Sequence, residues 1–283
     1  MMRYLFKFIF IGIAALFLLS SCQSIDTVET IPVVELRGFE RVLVPGGDFV
    51  ITTYQKVHDK KAPYVFYIEG DGLAFLNKYT VSPNPTPRKQ MLMNLATMDK
   101  RPNVVYVARP CQYTPMELNP KCSKTYWTDK RLSDDSVAAI NEVINKVNSN
   151  HQKFSLIGYS GGGGIAVLVA ARNPRAKDVI TIAGNIDHLA FTEYHNVIPM
   201  SGSLNPIDYA TSIKDIPQWH ISGANDKIVP PFIAQKYTRV SASPCVTQET
   251  FTGVGHKEGW DQVWESIYTC LLYTSPSPRD VEE

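Results

Sequence analysis

One stretch decides how the rest of the chain is interpreted: residues 154–170 read FSLIGYSGGGGIAVLVA. The first six residues form an apolar run of strand length, and the residues after the glycines form an apolar run of helix length. Because Pro174 ends the second run, we predict a strand over 154–159 and a helix over 161–173. The turn between them matches the pattern G-x-S-x-G with Ser160 at its centre. Such a turn strains the serine backbone and exposes its hydroxyl, as a nucleophile requires.

The turn by itself is a weak signal, because a chain of this length contains such a match by chance about once in ten cases. The same glycines also allow a dinucleotide site. Gly161, Gly163 and Ala166 fit the pattern G-x-G-x-x-A between a strand and a helix, and Asp187 lies where a ribose-binding acid would. That pattern normally opens its domain, whereas several predicted strands precede it here, so the nucleophile interpretation is favoured.

Short apolar runs alternate with helical patterns along most of the chain, which predicts an α/β fold. We expect a doubly wound, mostly parallel sheet of about eight strands, because several runs are apolar throughout and therefore covered on both faces. Helices are predicted after the N-cap Ser133 and over 261–269. The predicted strands are 41–44, 49–55, 64–69, 103–109, 154–159, 178–183, 218–222 and 247–252.

Two loops downstream supply the partners that a serine nucleophile needs. Asp226 ends the sequence GAND directly after the strand 218–222, and His256 ends GVGH directly after 247–252. Both loops follow the carboxyl ends of strands, where open α/β sheets place their sites. We predict that Ser160 attacks an acyl carbonyl, His256 takes its proton and Asp226 orients His256. Asp187 or Asp208 could supply the carboxylate instead.

The region from about Tyr64 to Trp260 resembles the α/β-hydrolase superfamily, whose triad has the same order along the chain. Within it, YIEGDG (67–72), ARPCQY (108–113) and YWT (126–128) resemble a group of bacterial lipoproteins. The resemblance implies a serine hydrolase that cleaves a small carboxylic ester or thioester through an acyl-enzyme, without a metal or organic cofactor. A peptidase stays open, because fold does not fix substrate. A non-catalytic envelope-binding lipoprotein on the same fold is the alternative.

A developing oxyanion needs two backbone N–H donors. The first expected donor is Gly161. The resemblance places the second at Asp71 or Gly72, where relatives carry His-Gly instead. Because an ionised Asp71 would oppose the oxyanion, we expect Arg109 to pair with either Asp71 or Glu69.

The N-terminus has the pattern of an exported lipoprotein. An apolar run over 8–19 follows two basic residues, and Leu-Ser-Ser-Cys ends at Cys22. This resembles a lipobox, with 1–22 as signal peptide and Cys22 as the acylated residue. Gln23 favours an outer membrane anchor facing the periplasm. Residues 23–38 are then a linker, and 39–270 the hydrolase domain, in which the insert 185–217 is a candidate cap.

In an oxidising compartment the remaining cysteines form an even set of four: Cys111, Cys122, Cys245 and Cys270. Three pairings are open, and Cys111–Cys122 is favoured because these residues bracket one loop. No C-x-x-C spacing indicates a zinc site. The 28 basic and 27 acidic residues give no reason to expect nucleic acid. Residues 271–283 are predicted to be a disordered or non-native tail that cannot extend a core helix. The oligomeric state stays open.

Overall fold

The computed structural model describes residues 37–274, with side chains as far as residue 269. The predicted signal peptide, Cys22 and nearly all of the linker therefore lie outside the described residues. The same holds for residues 275–283 and for the side chain of Cys270.

Eight strands form one sheet in the order β1-β2-β6-β3-β7-β8-β9-β10. The first two strands are antiparallel to their neighbours and all other pairs are parallel, which confirms the predicted fold class. A separate two-stranded hairpin, β4–β5, lies outside this sheet. The strands are β1 Glu40–Gly46, β2 Phe49–Val57, β3 Tyr64–Ile68, β4 Phe75–Asn77, β5 Thr80–Val81, β6 Asn103–Val107, β7 Phe154–Tyr159, β8 Ala176–Ile182, β9 Gln218–Gly223 and β10 Val246–Phe251.

The register places the carboxyl ends of the central strands side by side. Strand β3 lies between β6 and β7, with Ile68 opposite Val107 on one side and Gly158 on the other. All residues of β3, β6 and β7 are buried, because helices cover both faces. The loops that follow these strands therefore meet at one edge, where the site is built.

Helices on the two faces of the sheet produce two hydrophobic cores. One core contains the apolar faces of α2, α3 and α5, and the other contains α1 and α6. The helices are α1 Met91–Met98, α2 Asp134–Val147, α3 Gly161–Ala170, α4 His188–Tyr194, α5 Phe232–Ser241 and α6 Trp260–Thr274.

Helix α6 corrects the prediction for the C-terminus, because it continues to Thr274 rather than ending before residue 271. Leu271 to Thr274 are compatible with helical backbone, and the first proline comes only at residue 276. The candidate cap, 185–217, holds α4 and a 3₁₀ turn over Pro206–Tyr209. Within residues 37–274, no helix is long and apolar enough to cross a membrane.

Candidate active site

Ser160 occupies the turn between β7 and α3 with φ 51° and ψ −121°, a conformation that costs a non-glycine residue free energy. Glycines at the two ends of the turn make it possible. A Cβ on Gly158 would collide with the carbonyl of Gly162, and a Cβ on Gly162 would collide with the carbonyl of Ile68. The serine backbone is fixed by a hydrogen bond from its N–H to the carbonyl of Ile182, 2.9 Å long.

The structure brings together the three side chains that the sequence order connects. Nε2 of His256 lies 3.1 Å from Oγ of Ser160, and Nδ1 of His256 lies 2.8 Å from Oδ2 of Asp226. All three residues are buried or nearly so. With Nδ1–H donating to the carboxylate, Nε2 is free to accept the serine proton. This arrangement can therefore activate the hydroxyl.

Separate hydrogen bonds hold each partner of Ser160. Oδ1 of Asp226 accepts the N–H groups of Ile228 and Val229, both at 2.8 Å. The carbonyl of His256 accepts two buried donors, Tyr159 Oη–H at 3.2 Å and Trp260 Nε1–H at 3.1 Å. The backbone of the histidine loop is thus tied both to the residue before the nucleophile and to helix α6.

The other candidate carboxylates lie elsewhere. Asp187 caps α4 through the N–H of Ala190, and its Oδ2 lies 2.6 Å from Nζ of Lys236. Asp208 lies on the 3₁₀ turn and is exposed. Neither contacts His256. Of the acids considered, only Asp226 is therefore in place to orient this imidazole.

The loop after β3 places a carboxylate against the start of α3. A Cβ on Gly161 would collide with the carboxylate of Asp71. Two guanidinium groups neutralise this carboxylate, with Arg131 Nη1 at 2.7 Å and Arg109 Nη1 at 3.3 Å. Burial would raise the pKa of Asp71, but the charges of both arginines hold that pKa below its ordinary value.

This cluster settles which acid pairs with Arg109, since the sequence left Asp71 and Glu69 open. Glu69 instead accepts the Tyr106 hydroxyl at 2.6 Å and its neighbour Gly70 N–H at 2.7 Å. Burial raises the pKa of Glu69 to about 6 despite these hydrogen bonds. Sequence reasoning missed Arg131, because no motif surrounds it and it lies 60 residues from Asp71.

The carboxylate of Asp71 also bears on the dinucleotide interpretation. In such sites the N-terminus of the helix after the glycine-rich turn receives an anionic pyrophosphate. Here a protein carboxylate already packs against Gly161 at that position. The Asp71 side chain therefore occupies the space beside Gly161 that a pyrophosphate would need.

A cavity of about 350 Å³ opens over Ser160. Polar groups lie at its base and apolar side chains form much of its wall. The candidate cap contributes Asn185 and Phe191, and the acid loop contributes Ile228 and Val229. The lining residues are Glu69, Asp71, Gly72, Leu73, Pro87, Arg88, Lys89, Met91, Leu92, Arg131, Tyr159, Ser160, Asn185, Phe191, Ile228, Val229, His256 and Lys257.

A disulfide joins Cys111 to Cys122, which is the pairing that the sequence favoured. Its loop reaches the site through Gln112, whose Nε2 donates to the carbonyl of Gly70 at 3.0 Å. Cys245 is an exposed free thiol. Among residues 37–274, no group of His, Cys, Asp or Glu side chains is arranged to hold a metal ion.

Comparisons with known proteins find similarity to hydrolases. A sequence model of the Dienelactone hydrolase family matches residues 116–256, which include all three side chains. No curated protein matches the sequence significantly.

Similar solved structures include an esterase from Pyrococcus furiosus, with 15% identity and a TM-score of 0.61 over 86% of this chain and 93% of that one. Est1E from Butyrivibrio proteoclasticus has 12% identity and a TM-score of 0.58 over 83% and 98%. An acylaminoacyl peptidase from Pyrococcus horikoshii has 15% identity and a TM-score of 0.57 over 83% of this chain. This chain spans only 41% of that peptidase. At such identities the likeness shows a shared fold.

Proposed function

We propose that this chain is a serine hydrolase of the α/β-hydrolase superfamily, and that it cleaves carboxylic esters or thioesters through an acyl-enzyme intermediate on Ser160. The observation that carries the proposal is the continuous hydrogen-bonded series from Ser160 Oγ through His256 to Asp226, at 3.1 and 2.8 Å. The cavity above Ser160 gives an acyl group room to approach the hydroxyl.

The proposed reaction has two steps. Ser160 Oγ attacks the acyl carbon while His256 Nε2 takes the hydroxyl proton, and the imidazolium then gives this proton to the leaving oxygen or sulfur. Water next attacks the acyl-enzyme with His256 again as base, and the acid and free serine are released. Asp226 keeps the proton on Nδ1 and stabilises the imidazolium.

Backbone N–H groups of Gly161 and of the Asp71–Gly72 segment are the proposed oxyanion donors. An unpaired Asp71 carboxylate at this place would repel the developing negative charge. Arg131 and Arg109 remove that objection, because together they give the cluster a net charge of +1. The cluster therefore supports an active enzyme over the non-catalytic binding protein that the sequence kept open.

The decisive test compares purified full-length protein with Ser160→Ala, using a fluorophosphonate probe and p-nitrophenyl acetate, butyrate and octanoate. We expect labelling and turnover in the parent and neither in Ser160→Ala. Ser155→Ala is a matched control, because Ser155 lies on β7, the strand that leads to Ser160, and its hydroxyl donates to Asp178 away from the site. A folded parent that neither labels nor turns over any ester would overturn the proposal.

We also propose that the protein is exported and lipid-anchored through Cys22 in the cell envelope. The apolar run before Cys22 and the disulfide between Cys111 and Cys122 support export to an oxidising compartment. Metabolic labelling with a palmitate analogue should tag the parent chain and not Cys22→Ser. A chain that stays unlabelled and remains in the cytoplasmic fraction contradicts this proposal.

A further inference from the structure

The exposed apolar side chains of this protein are concentrated around one feature. Ten large apolar side chains in the described part of the chain are exposed, and eight of them lie around the active-site cavity. Seven of these lie on two segments that border the cavity, and Ile228 lies in the cavity wall itself. Single exposed apolar residues are ordinary, but a group around one opening indicates a contact surface. The eight, termed here the rim patch, are Phe75, Leu76, Tyr79, Leu189, Tyr194, Val197, Ile198 and Ile228.

The first segment is the hairpin β4–β5. It lies in sequence between two parts of the cavity wall, Leu73 before it and Pro87 to Lys89 after it. A hydrogen bond of 2.9 Å from the N–H of Leu73 to the carbonyl of Pro85 joins the two ends of the segment that carries the hairpin. The hairpin therefore projects from the cavity wall, and Tyr79 near its tip is 86% exposed.

The second segment is α4 with the residues that follow it. Phe191 of α4 lines the cavity. Nε2–H of His195 donates to the carbonyl of the cavity residue Ile228 at 2.7 Å, so the end of this helix is fixed to the cavity wall. Three residues later Ile198 is 88% exposed.

Positive charge accompanies these apolar groups. From Gly72 to Gln90 the sequence has three basic residues and no acidic one, although the whole chain has 28 basic and 27 acidic residues. Around the opening, five exposed basic side chains outnumber the two exposed acidic ones, Glu193 and Glu258. The five basic residues are Lys78, Arg88, Lys89, Lys227 and Lys257.

We infer that the rim patch docks on an anionic phospholipid bilayer, with Tyr79 and Ile198 inserted among the lipids, and that the ester cleaved is one held in that bilayer. Apolar insertion and attraction of basic residues to anionic headgroups are the two signals that peripheral membrane binding combines. A protein partner seated on the patch would cover the cavity, whereas a bilayer would present its esters to it. The substrate half of this inference rests on the proposed function, and the docking half does not.

The docking half is tested by hydrogen–deuterium exchange on full-length Ser160→Ala, with phosphatidylcholine vesicles either alone or containing roughly one third phosphatidylglycerol. We expect the anionic vesicles to protect peptides covering 72–82 and 189–199, and high salt to reduce that protection. Tyr79→Ser with Ile198→Ser should abolish it. The matched control is Leu118→Ser with Val240→Ser, because these are the two exposed apolar residues outside the patch.

A second measurement tests the substrate half with the active protein. The Tyr79/Ile198 variant should hydrolyse a long-chain ester embedded in anionic vesicles at least about tenfold more slowly. Its turnover of soluble p-nitrophenyl butyrate should not change, and the control variant should match the parent on both substrates.

The outcomes separate the two proposals. Protection that is absent, equal on neutral vesicles, or equal around residues 118 and 240 overturns docking, even where soluble esters are hydrolysed. Protection at the patch in a protein that cleaves no ester leaves docking standing and refutes the proposed function. Equal turnover of the embedded ester by the parent and the Tyr79/Ile198 variant overturns the substrate half.

Discussion

Substituting Arg131 by methionine tests whether the charge cluster around Asp71 keeps the oxyanion region usable. The change removes the shorter of the two contacts to Asp71, at 2.7 Å, and leaves Arg109 at 3.3 Å. The side chains of Asp71 and Arg131 are only 15% and 13% exposed, so water screens this pair poorly. Breaking a buried ion pair costs about 3–5 kcal/mol. Since Arg109 remains, we expect the free energy of unfolding to fall by about 2–3 kcal/mol.

The effect on turnover follows from the same geometry. Without Arg131, only Arg109 pairs with the Asp71 carboxylate. This carboxylate packs against Gly161, so it then opposes the negative charge that develops on the oxyanion. Losing one oxyanion interaction in other enzymes costs about 2.7–4 kcal/mol, or 100- to 1,000-fold in kcat. Because Arg109 still pairs with Asp71, we expect Arg131→Met to lose less than this, about 30-fold in kcat/KM.

A double-mutant cycle distinguishes this explanation from general damage. Asp71→Asn alone leaves two guanidinium groups without their carboxylate, whereas Asp71→Asn with Arg131→Met restores the balance of charge. Urea unfolding and p-nitrophenyl butyrate turnover of all four proteins should give a coupling energy of about 2 kcal/mol. Additive effects within about 0.5 kcal/mol, or an unchanged kcat/KM in Arg131→Met, would refute the reasoning.

Three further predictions follow from buried groups. Burial raises the pKa of Glu69 from its ordinary 4.5 to about 6, so the folded state binds this proton more tightly than the unfolded state does. The free energy of unfolding should therefore fall by about 2 kcal/mol as pH rises from below 4.5 to above about 6. Urea unfolding of Glu69→Gln on both sides of this pH range should show no such fall. Asp226→Asn should lower kcat about 10⁴-fold, whereas Asp187→Asn should change it less than about threefold; similar losses would contradict the assignment. Replacing Cys111 and Cys122 together by serine should lower the free energy of unfolding by about 3 kcal/mol in urea, and an unchanged midpoint would contradict this.

The eight strands of the main sheet could be predicted because most of them are short apolar runs that end at a turn signal, whereas the hairpin β4–β5 was not predicted. Helices α1, α4 and α5 were missed for physical reasons. Helix α1 has only eight residues and no side-chain cap at Gln90, and α4 has seven residues. Such short helices are stabilised by packing against the sheet rather than by their own sequence, so local patterns indicate them weakly.

The site was predictable where its residues stand in a fixed order at strand ends, as Ser160, Asp226 and His256 do. Arg131 was not predictable, because its role depends on a contact with Asp71 across 60 residues. The rim patch was equally hidden, since the sequence of the hairpin does not show which of its apolar side chains remain exposed. Tertiary contacts of this kind leave no local signal in a sequence.

The two hydrogen bonds to the carbonyl of His256 have a mechanical consequence. His256 follows β10, which is the edge strand of the sheet, and edge strands open more readily than central ones. Tyr159 and Trp260 attach the histidine loop to the middle of the sheet and to the last helix. Transient fraying of β10 should therefore not be transmitted to the distance between base and nucleophile. Ser160 and His256 can therefore stay aligned while the edge strand β10 opens transiently. On heating, loss of this alignment should coincide with unfolding of the central strands.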